Sequence, residues 1–313
     1  MKRAIFIGGC DRSGTTMIAD HIGVLPHVVV TPESQFKVPL LSMVSSGRVD
    51  EALSMLKSNF RFRLWDIVLD EERLRQKNDA KGFLFELVHQ YAEAVGKPEW
   101  KVWVDHTPEN LRYRDAMLGA FPDAKFVFAI RDGRAVAASV IPLEWGPDNA
   151  FHAGSWWAER NAFGLALLHY APSSVLAVRF EDLLSGSDVF WRELLDHCNL
   201  PCDPAILQGG GFRVPEYTRK QHRLVGRGLD PSRIDAWRTG LAPREIELFE
   251  HAAGGLLSAF GYERLFDFPA APTRKELSRF GSRHGGAGSG MVKRIRRRLR
   301  RAAGRRPEAR HES

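Results

Sequence analysis

A chain of 313 residues that is 44% hydrophobic and 10% aromatic can bury a large core, which excludes a disordered segment or a small disulfide-stapled module and leaves one α/β domain with insertions as the expected architecture. The net charge of +7 is unevenly held: residues 273–313 carry 14 Lys/Arg against 3 Glu, so residues 1–272 stand at −4 and no nucleic acid is expected as a partner of the body. Cys10, Cys198 and Cys202 are odd in number and without a second pair, so they are read as free thiols rather than a zinc or disulfide framework. No stretch approaches the ~18 apolar residues of a spanning helix. The apolar run after Lys2-Arg3 is broken at once by Gly8-Gly9 and Asp11, so the expectation is a soluble, cytoplasmic protein without a secretion signal.

The first sharp feature is Ile5-Phe6-Ile7, then Gly8-Gly9, then the polar turn Cys10-Asp11-Arg12-Ser13-Gly14, then Thr15-Thr16 with Met17, Ile18 and Ile22 at helical spacing. That order predicts strand, glycine loop, helix. Such a loop aims backbone N–H groups and the positive end of a helix at one spot, which suits phosphate or sulfate. Gly9 to Thr16 has P-loop spacing, but Thr15 stands where a nucleoside triphosphatase carries its lysine, and Val104-Asp105 is only a weak counterpart of a magnesium-binding aspartate. A shorter anionic ligand without a metal fits better.

Further along, Val28-Val29-Val30 before Pro32 predicts a short buried strand whose carboxyl end presents Glu33, a carboxylate able to take a hydroxyl proton. Residues from about Leu40 to Val95 read as mostly helical, and the acceptor pocket is expected in this insertion. Phe60, Phe62 and Trp65 within it are read as core first and as a sugar or phenol site second. Lys101 to Asp105 predicts a strand, followed by His106 and a Pro108-initiated helix with Glu109 in its first turn. Lys125 to Ile130 is a continuous apolar run typical of a central parallel strand; Arg131 follows it, with Ser139 two helical turns later. A guanidinium and a hydroxyl so placed can hold one phosphate. Val175 to Arg179 predicts a last strand, Lys220 to Gly228 is a basic, glycine-bearing loop, and Pro243 to Tyr262 is a long amphipathic run. The end of the chain passes through the linker-like Gly285–Gly290 into Val292–Arg301, whose basicity fits an anionic membrane surface, a polyanion, or simple solvation.

Arg12-Ser13-Gly14-Thr15-Thr16 after an N-terminal strand resembles the 5′-phosphosulfate loop of the sulfotransferases, with bacterial-type, tyrosyl-protein and heparan-type branches in view. The resemblance implies 3′-phosphoadenosine-5′-phosphosulfate (PAPS) as sulfuryl donor and no metal. Arg131 and Ser139 resemble the arginine and the serine eight residues on that hold the 3′-phosphate in that family. Glu33 resembles the base of the tyrosyl-protein branch, although Ser34-Gln35 follows it in place of Thr-Arg, and Lys37 is the substitute considered for the missing arginine. His106 occupies the lysine position of a D-K-T-P segment, where an imidazolium would stabilise sulfuryl or leaving-group charge or a neutral ring would compete with Glu33 as base. Arg179 to Leu183 resembles R-Y-E-D-L with Phe180 for the tyrosine, leaving a stacking role on the nucleotide, and Arg223 or Arg227 in the late loop would reach the 3′-phosphate.

The resemblance therefore implies a three-layer α/β, P-loop-like domain over residues 1–272 with a central parallel sheet and a helical acceptor-site insertion, then a flexible basic tail over 273–313. Its activity would be in-line transfer of a sulfuryl group from PAPS to an acceptor hydroxyl, carbohydrate or glycolipid ahead of lipid, tyrosine or phenol. The tail would add peripheral association with the inner face of the membrane. The competing readings are a P-loop kinase using Mg-ATP and a non-catalytic nucleotide- or polyanion-binding module.

Overall fold

The computed structural model describes residues 1–216, 226 and 228–280. Strands β1 (Arg3–Gly9), β2 (Val28–Thr31), β3 (Val102–Asp105), β4 (Lys125–Ile130) and β5 (Val175–Arg179) form one parallel sheet in the order β2-β3-β1-β4-β5. Helix α1 (Thr15–Ile22) follows β1. Between β2 and β3 lie α2 (Lys37–Ser45), α3 (Val49–Ser58), α4 (Phe60–Arg63), α5 (Glu71–Arg75) and α6 (Ala80–Ala94), which is the helical insertion expected from the sequence. Helix α7 (Arg114–Ala120) precedes β4, and α8 (Gly133–Val140) and α9 (Ala150–Tyr170) separate β4 from β5. The chain then runs through α10 (Phe180–Leu184), α11 (Asp188–His197), α12 (Trp237–Gly240), α13 (Pro243–Ala259) and α14 (Arg274–Arg279). Pro108 opens a 3-10 segment, Pro108–Tyr113, rather than an α-helix.

The chain divides into two compact units, one of Met1–Arg131 with Arg160–Ile234 and one of Asp132–Glu159 with Asp235–Ser313. The whole sheet belongs to the first. Alternate strand residues Ile5, Ile7, Val28, Val30, Val102, Val104, Val127 and Ala129 face one way and are covered by Ile18 and Ile22 of α1 and by Trp191 and Leu194 of α11. On the other face the Phe6 ring meets Trp103 at 5.5 Å, Phe126 at 5.4 Å and Phe121 at 5.8 Å, while Gly164 of α9 sits against the Phe128 ring. Helices on both faces explain why the strands read as unbroken apolar runs, since neither side of a doubly covered sheet meets water. Insertion helices start where short polar side chains take up the free N–H groups: Asn59 accepts from Arg61 and Phe62, Asp70 from Arg73 and Asp79 from Gly82. Phe62 and Trp65 are buried beside Phe36 and Tyr91, so the core reading of that aromatic group holds, while Phe60 is exposed.

The second unit is built on a buried arginine. Asp132 caps α8 through the Arg134 N–H and grips the Arg134 side chain with both carboxylate oxygens, at 3.0 and 2.7 Å. Glu250 of α13 takes a further Arg134 N–H at 2.7 Å, and the guanidinium lies 3.9 Å from the centre of the Trp237 ring. A charge this deep is tolerable only because its donors are all aimed at acceptors or an aromatic face.

Candidate active site

The register of the sheet decides what meets at its carboxyl end. Gly9 pairs with Ala129, Thr31 and Phe6 with Asp105, and Ile130 with Arg179, so the segments leaving β1, β2, β3, β4 and β5 emerge side by side. In open α/β sheets ligands bind beyond these ends.

After β1 the backbone turns sharply. Gly9 has φ 144°, and a Cβ on it would stand 2.3 Å from the Ala129 carbonyl oxygen; Gly14 has φ 94°, and a Cβ there would stand 2.4 Å from the Phe180 ring. Arg12 also takes a left-handed φ of 69°. These turns bring the loop back under α1, whose first internal bond is Ile18 N–H to Gly14 O at 3.0 Å. The N–H groups of Thr15, Thr16 and Met17 therefore have no intrahelical acceptor and face the loop's mouth. Ser13 is fully buried, and its Oγ has no hydrogen-bond partner among the described residues. Buried polar atoms are nearly always satisfied, so this hydroxyl marks where an anion would supply the missing partner.

Arg131 leaves β4 directly beside that loop. Its Nη1 donates to the Arg12 carbonyl at 3.0 Å, and its guanidinium lies 4.3 Å from the centre of the Phe180 ring. Phe180 is buried between Arg131 and Gly14, where one face of its ring meets the Arg131 guanidinium and its edge packs against the turn at Gly14. Ser139 lies on α8, in the second unit. Arg223 and Arg227 lie outside the described residues.

Glu33 follows β2 and is part-buried. Gln35 Nε2 donates to its Oε2 at 2.7 Å, and Arg61 of the insertion approaches the same oxygen at 3.5 Å. Burial raises the Glu33 pKa above the ordinary carboxylate range, with Arg61 and Gln35 opposing. A carboxylate so tuned is a better proton acceptor than a solvated one. Lys37 is not the partner of Glu33. Its ammonium is buried against Asp105 Oδ1 at 3.2 Å, and the supporting arginine arrives from 28 positions further along the chain.

Asp105 itself is fully buried and heavily bonded. Its carboxylate accepts from Ser34 Oγ, from Lys37 Nζ, from the Thr107 N–H at 3.0 Å and from Asn110 Nδ2 at 2.8 Å. Burial alone would raise its pKa, yet Lys37 and these donors hold it below the ordinary range. Its oxygens are thus committed to these four donors, and no group of three or more His, Cys, Asp or Glu able to hold a metal occurs among the described residues.

His106 is buried beside it, its ring edge-on to Phe212 at 5.0 Å and its Nδ1 3.4 Å from Thr16 Oγ1. Burial lowers its pKa to about 4. Near neutral pH the ring of the free protein is uncharged. Either Nδ1 or Thr16 Oγ1 can be the donor of that contact, according to the ring tautomer, and Nε2 is a buried atom without a partner among the described residues.

Two positions escaped the sequence reading. Asp20 of α1 is buried and accepts the N–H groups of Gly210, Phe212 and Gly226 at 2.9, 2.9 and 3.0 Å, tying the loop helix to these three later positions. Its signal was an acid on the otherwise apolar side of a helix. Arg160 of α9 faces Asp11 at 3.9 Å and Glu109 at 3.5 Å, close to the glycine loop. No local pattern announces that contact.

Comparison with known proteins agrees with this geometry. A model described as the sulfotransferase family matches residues 4–204. The chain belongs to the sulfotransferase family. Among its sulfotransferase relatives are protein-tyrosine sulfotransferase 1 of Danio rerio, 24% identical over 83% of this chain and 72% of that one, and protein-tyrosine sulfotransferase of Drosophila melanogaster, 28% identical over 83% and 51%. Nodulation protein NoeE of Sinorhizobium fredii is 24% identical over 83% of this chain and 66% of its own length. The chain thus spans between about half and three quarters of these curated relatives. Of solved structures, the sulfotransferase domain of the Synechococcus PCC 7002 olefin synthase superposes with a TM-score of 0.57 at 20% identity, covering 84% of this chain and 95% of that one. The sulfotransferase domain from the curacin biosynthetic pathway gives 0.51 at 17%, covering 84% and 99%. At these identities the structures speak for the α/β sulfotransferase fold alone.

Proposed function

We propose that the protein transfers a sulfuryl group from PAPS to an acceptor hydroxyl, with Glu33 as the base. The observation that carries the reading is the bond from Arg131 to the Arg12 carbonyl, which joins the strand-end arginine of one anion motif to the glycine loop of the other. A donor with phosphate at both its 3′ and 5′ ends matches two anion motifs; a nucleoside triphosphate does not, and Thr15 leaves the loop without a lysine for terminal phosphates.

The residues fit such a donor. Ser13 Oγ and the N–H groups of Gly14, Thr15 and Thr16 would hold the 5′-phosphosulfate, and Arg131 would grip the 3′-phosphate. Ser139 and Arg223 or Arg227 remain partners implied by the family resemblance. When bound, the donor supplies an electrophilic sulfur and a phosphate leaving group. Glu33 would take the proton of the attacking hydroxyl, His106 in its Nε2–H tautomer would donate to a transferring or leaving oxygen, and the loop N–H groups would offset the charge that develops there. Resemblance places a carbohydrate or glycolipid hydroxyl first as acceptor, and the protein-tyrosine relatives make a phenol the next to try.

The test is calorimetric titration of wild type and Arg131→Ala with adenosine 3′,5′-bisphosphate, beside ATP with magnesium. The expected result is metal-independent binding of the bisphosphate that weakens at least about tenfold in the variant, the cost of one charge-assisted contact. Preference for Mg-ATP, or indifference to Arg131, would overturn the reading in favour of a kinase.

A further inference from the structure

Glu33 engages only one of its oxygens within the chain. Oε2 accepts from Gln35 Nε2 at 2.7 Å and is approached by Arg61 Nη1 at 3.5 Å, while Oε1 accepts no hydrogen bond among the described residues. Burial alternates along this segment. Ser34 and Phe36 are buried, whereas Glu33 and Gln35 are part-exposed, so the base and the amide both reach the open side of the stretch that leaves β2.

The bond to Glu33 fixes which way the Gln35 amide points. Turned over, the amide would set its carbonyl oxygen against the carboxylate, two acceptors with no proton between them, so the NH2 group faces Glu33 and Oε1 faces away. That oxygen is shielded from water and has no hydrogen-bond partner among the described residues. A shielded carbonyl oxygen left unmet is costly, and the ordinary remedy is a donor from elsewhere. Ser13 Oγ, unmet in the same way, belongs to the loop suited to the donor; Gln35 Oε1 belongs to the neighbour of the base. A molecule that offers a hydroxyl to Glu33 Oε1 lies against the Gln35 amide with whatever stands beside that hydroxyl. Oε1 can only accept, so a second O–H or N–H satisfies it. Adjacent hydroxyls, or a hydroxyl beside an amide N–H, meet that need; a lone phenol hydroxyl has only ring carbons next to it and does not.

We propose that Gln35 is a specificity-determining residue that selects acceptors carrying a second hydrogen-bond donor next to the hydroxyl that is sulfated. This rests on the sulfotransfer reading with Glu33 as base, and it narrows the acceptor from any hydroxyl to a vicinal diol or amido alcohol of the kind sugars present. Glu33 takes the proton of one hydroxyl as its oxygen bonds to sulfur and displaces the phosphate, which leaves with the electron pair of the broken S–O bond. Gln35 holds the neighbouring donor, which keeps its proton throughout.

The experiment measures sulfuryl transfer from PAPS by the full chain to matched probes that differ by one donor: trans-1,2-cyclohexanediol against cyclohexanol, and catechol against phenol. Wild type is expected to favour the diol of each pair by at least about tenfold in kcat/KM, because the probe lacking the second donor leaves Gln35 Oε1 unmet. Gln35→Met keeps the length of the side chain but has only a weakly accepting sulfur, and it should bring each ratio down to about twofold, the statistical advantage of two reactive hydroxyls over one. Losing the Gln35 bond changes the strength of the base for both members of a pair alike, so a role confined to positioning Glu33 would move the rates and leave the ratios standing. No preference in wild type, ratios that survive in Gln35→Met, or binding of adenosine 3′,5′-bisphosphate without transfer to any of these probes overturns the proposal. Failure to bind the bisphosphate at all strikes down the sulfotransfer reading instead, and the role of Gln35 falls with it.

Discussion

Two buried polar clusters sit side by side at the carboxyl end of the sheet, and they are built to opposite rules. Around Asp105 the carboxylate is saturated, receiving hydrogen bonds from Ser34, Lys37, Thr107 and Asn110. Around the glycine loop, Ser13 Oγ and His106 Nε2 are buried with no partner among the described residues. The first cluster holds three strand ends together: Asn110 also donates to the Ile7 carbonyl at 2.9 Å, and the Ser34 N–H donates to Thr107 Oγ1 at 2.8 Å. The second waits for something to bond. The saturated Asp105 carboxylate reads as scaffold, and the unpartnered Ser13 Oγ and His106 Nε2 beside an anion-binding loop read as site.

That contrast can be broken by substitution. Glu33→Gln should cut turnover by about 10²–10⁴-fold, the usual worth of a positioned base, while leaving bisphosphate titration unchanged; a variant that turns over normally would pass the role to another group. Asp105→Ala should destabilise the fold by about 3–5 kcal/mol in denaturant melts, because it strands the buried Lys37 ammonium. Its pH dependence follows from sign: the Asp105 carboxyl is held below its ordinary range when folded, so its contribution is present at neutral pH and is lost as the pH falls through that lowered pKa. An Asp105→Ala protein that melts like wild type would mean the cluster is not scaffold.

Ser13→Ala sharpens the comparison from the other side. Removing an unpartnered hydroxyl should leave the melt within about 0.5 kcal/mol and yet weaken bisphosphate binding about tenfold. Arg61→Ala has the smallest effect. Arg61 lowers the Glu33 pKa, so its loss raises that pKa further, and the acid limb of the pH–rate profile should move to higher pH with only a few-fold loss at its plateau. An unmoved limb would show that the 3.5 Å approach has no bearing on the base.

Much of this arrangement was legible because parallel strands covered on both faces announce themselves as apolar runs, and each run stops at or just before a residue that stands out in the sequence: Gly9, Glu33, His106, Arg131 and Phe180. The charge states were not legible. His106 looks like a titrating group in sequence, but a fully enclosed ring with Phe212 against it is neutral. Lys37 lies nearer to Glu33 in the chain than Arg61 does, yet helix α2 turns it inward to Asp105, and only tertiary packing brings α4 over the base. Helix α9 went unread for another reason. Its apolar residues recur on every side, and Gly164 is spent on a ring contact with Phe128, so no single stripe marks its inner face.

The pairing of Gly9 with Ala129 has a practical meaning for anyone wishing to change what the enzyme uses or modifies. The gap between the glycine loop and Arg131 is set by the spacing of two adjacent strands, about 4.8 Å, and not by any side chain that could be exchanged. It works as a ruler cut into the backbone, and redesigning the donor would mean re-registering the sheet. The insertion of α2 to α6 carries no such gauge. With Lys37 kept because it neutralises the buried Asp105, a library confined to residues 38–100 should alter acceptor choice, on the expectation that this insertion lines the acceptor pocket, without disturbing the donor end.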